Sequence, residues 1–197
     1  MPDASKYYVA NLLDSTLAVV NMDTHRVTKH INLLENYNPV SGKISGPVGA
    51  LPIQTPVSPD GKNMVTANTL TGTITIVDTS TDEMVAMLPC DPGCHGVQYG
   101  AKKGGGYYAY VSSKFSNRML VVDPDPNGDG NPVDAKIVGK IGLFSASTTK
   151  MDDAIKGNPG MGGQGILPVP VVYNGWVQNL PDAWSKQLTA AQQDPIK

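Results

Sequence analysis

Two short stretches of the sequence carry side chains whose types and spacing could do chemistry. The first is Cys90-Asp91-Pro92-Gly93-Cys94-His95-Gly96. Two thiols that flank a Pro-Gly turn are near enough to form a disulfide, which suits an oxidising compartment. The same run, Cys-x-x-x-Cys-His, is one residue longer than the Cys-x-x-Cys-His of covalent haem attachment. Its sulfurs and imidazole are also donors for a soft or borderline metal. The disulfide between Cys90 and Cys94 is the leading reading; haem attachment, a metal and inert thiols stay open beside it.

The second stretch runs from Asp123 to Asp134, with Asp125, Asn127, Asp129 and Asn131 between them and Gly128 at the sixth position. Hard oxygen donors at alternate residues, with a glycine for the sharp turn, have the spacing of an EF-hand calcium loop. The loop departs from that pattern at Gly130, where an apolar residue is usual, and at Asp134, where Glu is usual. Strands rather than helices flank it. The expectation is a calcium site in a hairpin, with Asp123, Asp125, Asn127, Asp129 and Asp134 as ligands. The competing reading is an Asx/Gly/Pro turn without metal.

No nucleophile–base set is legible. There is no Gly-x-Ser-x-Gly, no Walker-type loop and no His-Glu-x-x-His. The net charge of −2 offers no electrostatic case for nucleic acid. No apolar run is long enough to span a membrane as a helix. Hydrophobic residues make up 40% of the chain, enough for a core, but aromatics only 6%, so Val, Ile and Leu must fill it.

What must position these groups is a repeat. Residues 2–28 align without a gap on residues 59–85, an offset of 57, with Pro2/Pro59, Asp3/Asp60, Ala10/Ala67, Asn11/Asn68, Leu13/Leu70, Thr16/Thr73, Val20/Val77 and Thr24/Thr81 identical. A third copy follows at a further offset of 45, where Tyr110-Val111 matches Tyr8-Val9. Each copy reads as short strands rich in Val, Ile and Thr, separated by Asp, Asn, Gly and Ser turns. An innermost strand is expected before copies two and three, at Ile53–Val57 and Gly96–Tyr99. Four short strands per unit at this period is the signature of a β-propeller blade.

Residues 58–85, SPDGKNMVTANTLTGTITIVDTSTDEMV, resemble the YVTN-type propeller repeat in their S-P-D-G-K turn, Y-V-T-N-like strand and I-V-D-T turn. Residues 2–28 and 94–123 are weaker copies: Ala4 stands where the turn usually has Gly, and Ala101–Gly106 replaces the turn in copy three. The resemblance covers about residues 1–142. It implies an all-β fold, a partial β-propeller of about three four-stranded antiparallel blades. It also places His95, in Gly-Cys-His-Gly-Val, at the start of an innermost strand facing the mouth of the central channel. Propellers of periplasmic redox proteins hold copper or haem groups there, so His95 is the candidate cofactor ligand. Three or four ligands are usual for such a metal, so the others must come from further blades or chains. The competing reading of His95 is a turn histidine bonded to backbone. The resemblance implies a periplasmic or extracellular setting and further blades or a partner chain as partners. A start inside repeat sequence reads as part of a longer protein.

Three regions lie outside the strands. Residues 32–52 form a Gly/Pro/Asn-rich insertion, expected to be a surface excursion between blades. Residues 145–165 read as a Gly-rich linker. Residues 166–197 read as a docking tail with a short helix from Pro181, carrying Trp176 and Trp184.

Overall fold

The structure, a computed structural model, describes residues 1–143 and 163–168, with Ala183, Lys186 and Gln187. Ten strands form three antiparallel sheets. Blade 1 is β1 (Lys6–Asn11), β2 (Thr16–Asn21) and β3 (Arg26–Asn32). Blade 2 is β4 (Asn63–Asn68), β5 (Thr73–Asp78) and β6 (Glu83–Pro89). Blade 3 is β7 (Cys94–Ala101), β8 (Tyr107–Ser113), β9 (Arg118–Asp123) and β10 (Lys136–Gly142). Among the described residues no helix is long and apolar enough to cross a membrane.

The repeat survives in the backbone residue for residue. Moving β1, β2 and β3 along by 57 positions gives β4, β5 and β6. Left-handed turn residues recur at matching places: Ala4, Gly61 and Gly106 have φ of 58, 76 and 77°, and Ser15, Gly72 and Asn117 have 53, 61 and 54°. Glycine adopts this conformation without crowding, whereas Ala4 and Ser15 hold it against their own Cβ. The β-bulge between Val19 and Val20 recurs between Ile76 and Val77.

Side-chain alternation along the strands builds the packing. Met64 and Val77 of blade 2 face Tyr8, Leu17, Val19 and Ile31 of blade 1. Val65, Ala67, Ile74 and Ile76 face Val97, Tyr99, Val111, Leu120 and Val122 of blade 3. Strand β4 is therefore buried at all six positions, as the middle sheet of a stack must be. The outer faces of the stack are not covered in the same way. On blade 1, Tyr7, Val9 and Val27 are 40, 39 and 50% exposed. On blade 3, Tyr108, Tyr110 and Val121 are only half-buried.

Three expectations are modified. The innermost strand of blade 2 is a bridged segment rather than a regular strand. It pairs with β4 at Pro52↔Asn68 and Val57↔Met64, and Ile53 N–H bonds Ala67 O at 3.1 Å. Pro52 and Pro56 lack the donors that a full ladder needs. Blade 1 has three strands among the described residues. The 32–52 insertion is no mere excursion: Leu33, Val48 and Ala50 are buried, and the Thr73 hydroxyl donates to Val48 O at 3.0 Å. Most of the linker and tail, including Trp176, Trp184 and the expected helix start, lies outside the described residues.

Candidate functional site

Residues 90–93 carry the chain from the outermost strand of blade 2 to the innermost strand of blade 3. Cys90 takes the place that Leu33 holds in blade 1. Its N–H bonds Gly72 O at 2.8 Å, as Leu33 N–H bonds Ser15 O at 3.0 Å. The turn is held tightly. Gly93 has φ of 76°, and a Cβ there would lie 2.6 Å from the Phe115 ring. The Asp91 carboxylate reaches Lys140 Nζ at 2.8 Å and Arg118 at 3.5 Å, tying the turn to β9 and β10. Burial pushes the Asp91 carboxyl up, but Lys140 and Arg118 more than offset it and hold it below the usual range.

Cys94 is fully buried, its Sγ 3.6 Å from Asn68 O and 3.7 Å from Thr73 O. Cys90 is partly exposed, with Sγ 3.8 Å from Ser113 Oγ. The two thiols lie within hydrogen-bonding reach of each other. Both are free thiols in this structure, so the disulfide expected between Cys90 and Cys94 is not formed here, although its two sulfurs are neighbours. The hydrogen bond from Cys94 lowers Cys90, while the same bond and burial push Cys94 well above the usual thiol range. Haem attachment through both sulfurs does not fit, because Cys94 is sealed against two backbone carbonyls.

His95 follows Cys94 on β7 but has a different partner. Its Nδ1 meets Gln164 O at 2.9 Å, which separates the imidazole from the thiol pair. Cys90, Cys94 and His95 therefore do not share one metal position. Residues 164–168 lie against the inner strand here. A Cβ on Gly96 would be 2.4 Å from Gln164 O, and one on Gly100 would be 3.0 Å from Pro168. Glycine at both positions is what lets the segment approach, a role that sequence reading missed because residues 145–165 looked like a linker.

The loop between β9 and β10 is organised without a cation cage. Asp123 forms an ion pair with Lys102, each carboxylate oxygen 2.9 Å from Nζ. Asp123 Oδ1 also accepts from Asp125 N–H, Asn127 Oδ1 from Asp129 N–H, Asp129 Oδ1 from Asn131 N–H and Asn131 Oδ1 from Val133 N–H. These are Asx turns, and they share the alternate-residue spacing of the calcium loop. Asp125 Oδ2 accepts from Gly130 N–H, and Asp134 is exposed. Asp123, Asp125, Asn127, Asp129 and Asp134 do not converge, and among the described residues no three His, Cys, Asp or Glu side chains are grouped to hold a metal. As folded, the loop does not fit Ca²⁺; Lys102 supplies its positive charge. Asp125 Oδ1 is buried without a partner, beside a cleft of about 430 Å³ that Lys62 and Lys102 also line.

No sequence family and no curated protein matches the chain. Solved structures do. The Kuenenia stuttgartiensis hydrazine synthase aligns at 20% identity and a TM-score of 0.50, over 72% of this chain and 35% of that one. A functionally unknown protein from Desulfotomaculum acetoxidans DSM 771 aligns at 15% identity and a TM-score of 0.51, over 71% and 39%. The fold is a partial β-propeller. The chain spans little more than a third of the length of these two chains.

Proposed function

We propose that this chain supplies consecutive blades to a larger β-propeller of the YVTN-repeat type, acting as scaffold in an extracytoplasmic, metal- or haem-dependent redox assembly. The observation that carries the scaffold reading is the pair of outer faces in stacking position. Tyr7 and Val9 on blade 1, and Tyr110 and Val121 on blade 3, stand where the inner seams bury their equivalents Met64, Thr66, Val65 and Ile76. A fully buried side chain of this size contributes about 1.5–3 kcal/mol. Further blades or a partner chain are the natural cover, and the chain's short span relative to its structural neighbours agrees with that.

The redox part is supported by the repeat resemblance and by the appearance of this fold in a hydrazine synthase. His95, on the innermost strand of blade 3, is the donor this chain would offer at the channel mouth. Copper or haem held there would need its remaining ligands from other blades or chains. The chain's own contribution is to orient the ring, since Gln164 O fixes Nδ1 and leaves Nε2 as the free donor. Metal analysis and an absorption spectrum of the associated form, beside those of His95→Ala, test this. Copper or haem that is lost with the imidazole supports the reading. A metal-free, spectrally silent assembly would leave a non-catalytic binding or surface propeller.

A further inference from the structure

We propose that Cys90 and Cys94 are a reversible dithiol–disulfide pair, with Cys90 as the attacking thiol and Cys94 as the resolving one. Three features of the seam carry this. The thiols are neighbours across a rigid turn, held by Gly93 against Phe115 and by Asp91 against Lys140 and Arg118. They differ in access: Cys94 is fully buried, and Cys90 is open to solvent on one side. Their surroundings also differ in kind. The Cys94 sulfur lies 3.6 and 3.7 Å from the Asn68 and Thr73 carbonyl oxygens, whereas the Cys90 sulfur lies 3.8 Å from the Ser113 hydroxyl. Exchange needs the incoming disulfide to reach the attacking sulfur, and Cys90 is the one open to solvent, so the reaction starts at Cys90.

The step balances with a small-molecule disulfide as oxidant. The Cys90 thiolate attacks one sulfur of oxidised glutathione, forms a mixed disulfide and expels one glutathione thiolate. Cys94 then gives up its proton to solvent and attacks the Cys90 sulfur. The second glutathione leaves, and the Cys90–Cys94 bond closes. The protein loses two electrons and two protons, and two molecules of reduced glutathione are formed.

The test is to expose the folded full-length chain to oxidised glutathione, quench with acid and map the peptides by mass spectrometry. The expected result is an internal Cys90–Cys94 disulfide, reversed by excess reduced glutathione, with no lasting adduct. Cys94→Ala should stop at one glutathione on Cys90, and Cys90→Ser should not react while folded. In the reduced wild type, iodoacetamide should label Cys90 at least about tenfold faster than Cys94. Circular dichroism shows whether Cys94→Ala keeps its strands; if it does not, the labelling ratio in the wild type decides alone. A wild type that accumulates the mixed disulfide, reacts only in denaturant or labels both thiols equally would overturn the assignment.

Discussion

Replacing Gly96 by Ala should release residues 163–168 from blade 3 and leave the blade folded. The new Cβ would lie 2.4 Å from Gln164 O, 2.8 Å from Gly165 Cα and 2.9 Å from Ser112 Oγ. The Ser112 hydroxyl can rotate, but the two backbone atoms cannot give way without moving either strand β7 or the segment on it. Distorting a packed strand costs typically 1–3 kcal/mol. Letting the segment go sacrifices the His95–Gln164 hydrogen bond, about 1 kcal/mol, and the Pro168 contact at Gly100. It also returns backbone entropy, about 1 kcal/mol for each residue released. Release is the cheaper response. Thermolysin cleavage before Ile166 or Leu167 should therefore speed roughly tenfold, while the circular dichroism and melting temperature change little. A melting temperature that falls with no change in cleavage would place the strain in β7 and refute this reasoning. No change in either would show that the segment does not lie on the inner strand.

Three further outcomes follow from the same structure. Lys102→Met should cost about 2–3 kcal/mol by leaving the buried Asp123 unpaired, and millimolar calcium should restore part of that in the variant but barely shift the wild type; equal effects on both, by thermal unfolding, would remove Lys102 as the loop's resident cation. Ala4→Gly should raise stability by up to about 1 kcal/mol in urea unfolding, since Ala4 holds a φ of 58° where the other two repeats have glycine. The depressed Asp91 carboxyl should contribute stability that is fully present above the ordinary value of 3.8 and is lost as pH falls through its lower folded value. Asp91→Asn should flatten the acid limb of a stability–pH curve, and an unchanged limb would contradict the Lys140–Arg118 account.

The blades were legible because one physical pattern was written three times: apolar alternation at period two, with turn residues at fixed offsets. Ala4 stood out against the glycine that the turn usually carries, and it keeps the left-handed conformation that Gly61 has in the second copy. The site was less legible. Cys90 and Cys94 were visible as neighbours, but their unequal burial depends on β5 and β8, which the local run cannot reveal. Alternating Asp and Asn from 123 to 131 fits a calcium loop and a chain of Asx turns equally well by spacing. Only the position of Lys102, from a turn read as a bare replacement, separates the two. The 32–52 insertion was misjudged because its buried Leu33, Val48 and Ala50, and hydrogen bonds such as that from the Thr73 hydroxyl to Val48 O, follow no period that the sequence shows.

The central claim is that this chain is one part of a larger propeller, with stacking faces that another polypeptide covers. Light scattering of the purified 197-residue chain, coupled to size-exclusion chromatography, tests it most directly. The account predicts self-association, or a defined complex when further blades or a partner chain are supplied. A well-folded monomer that unfolds cooperatively with no partner bound would contradict it.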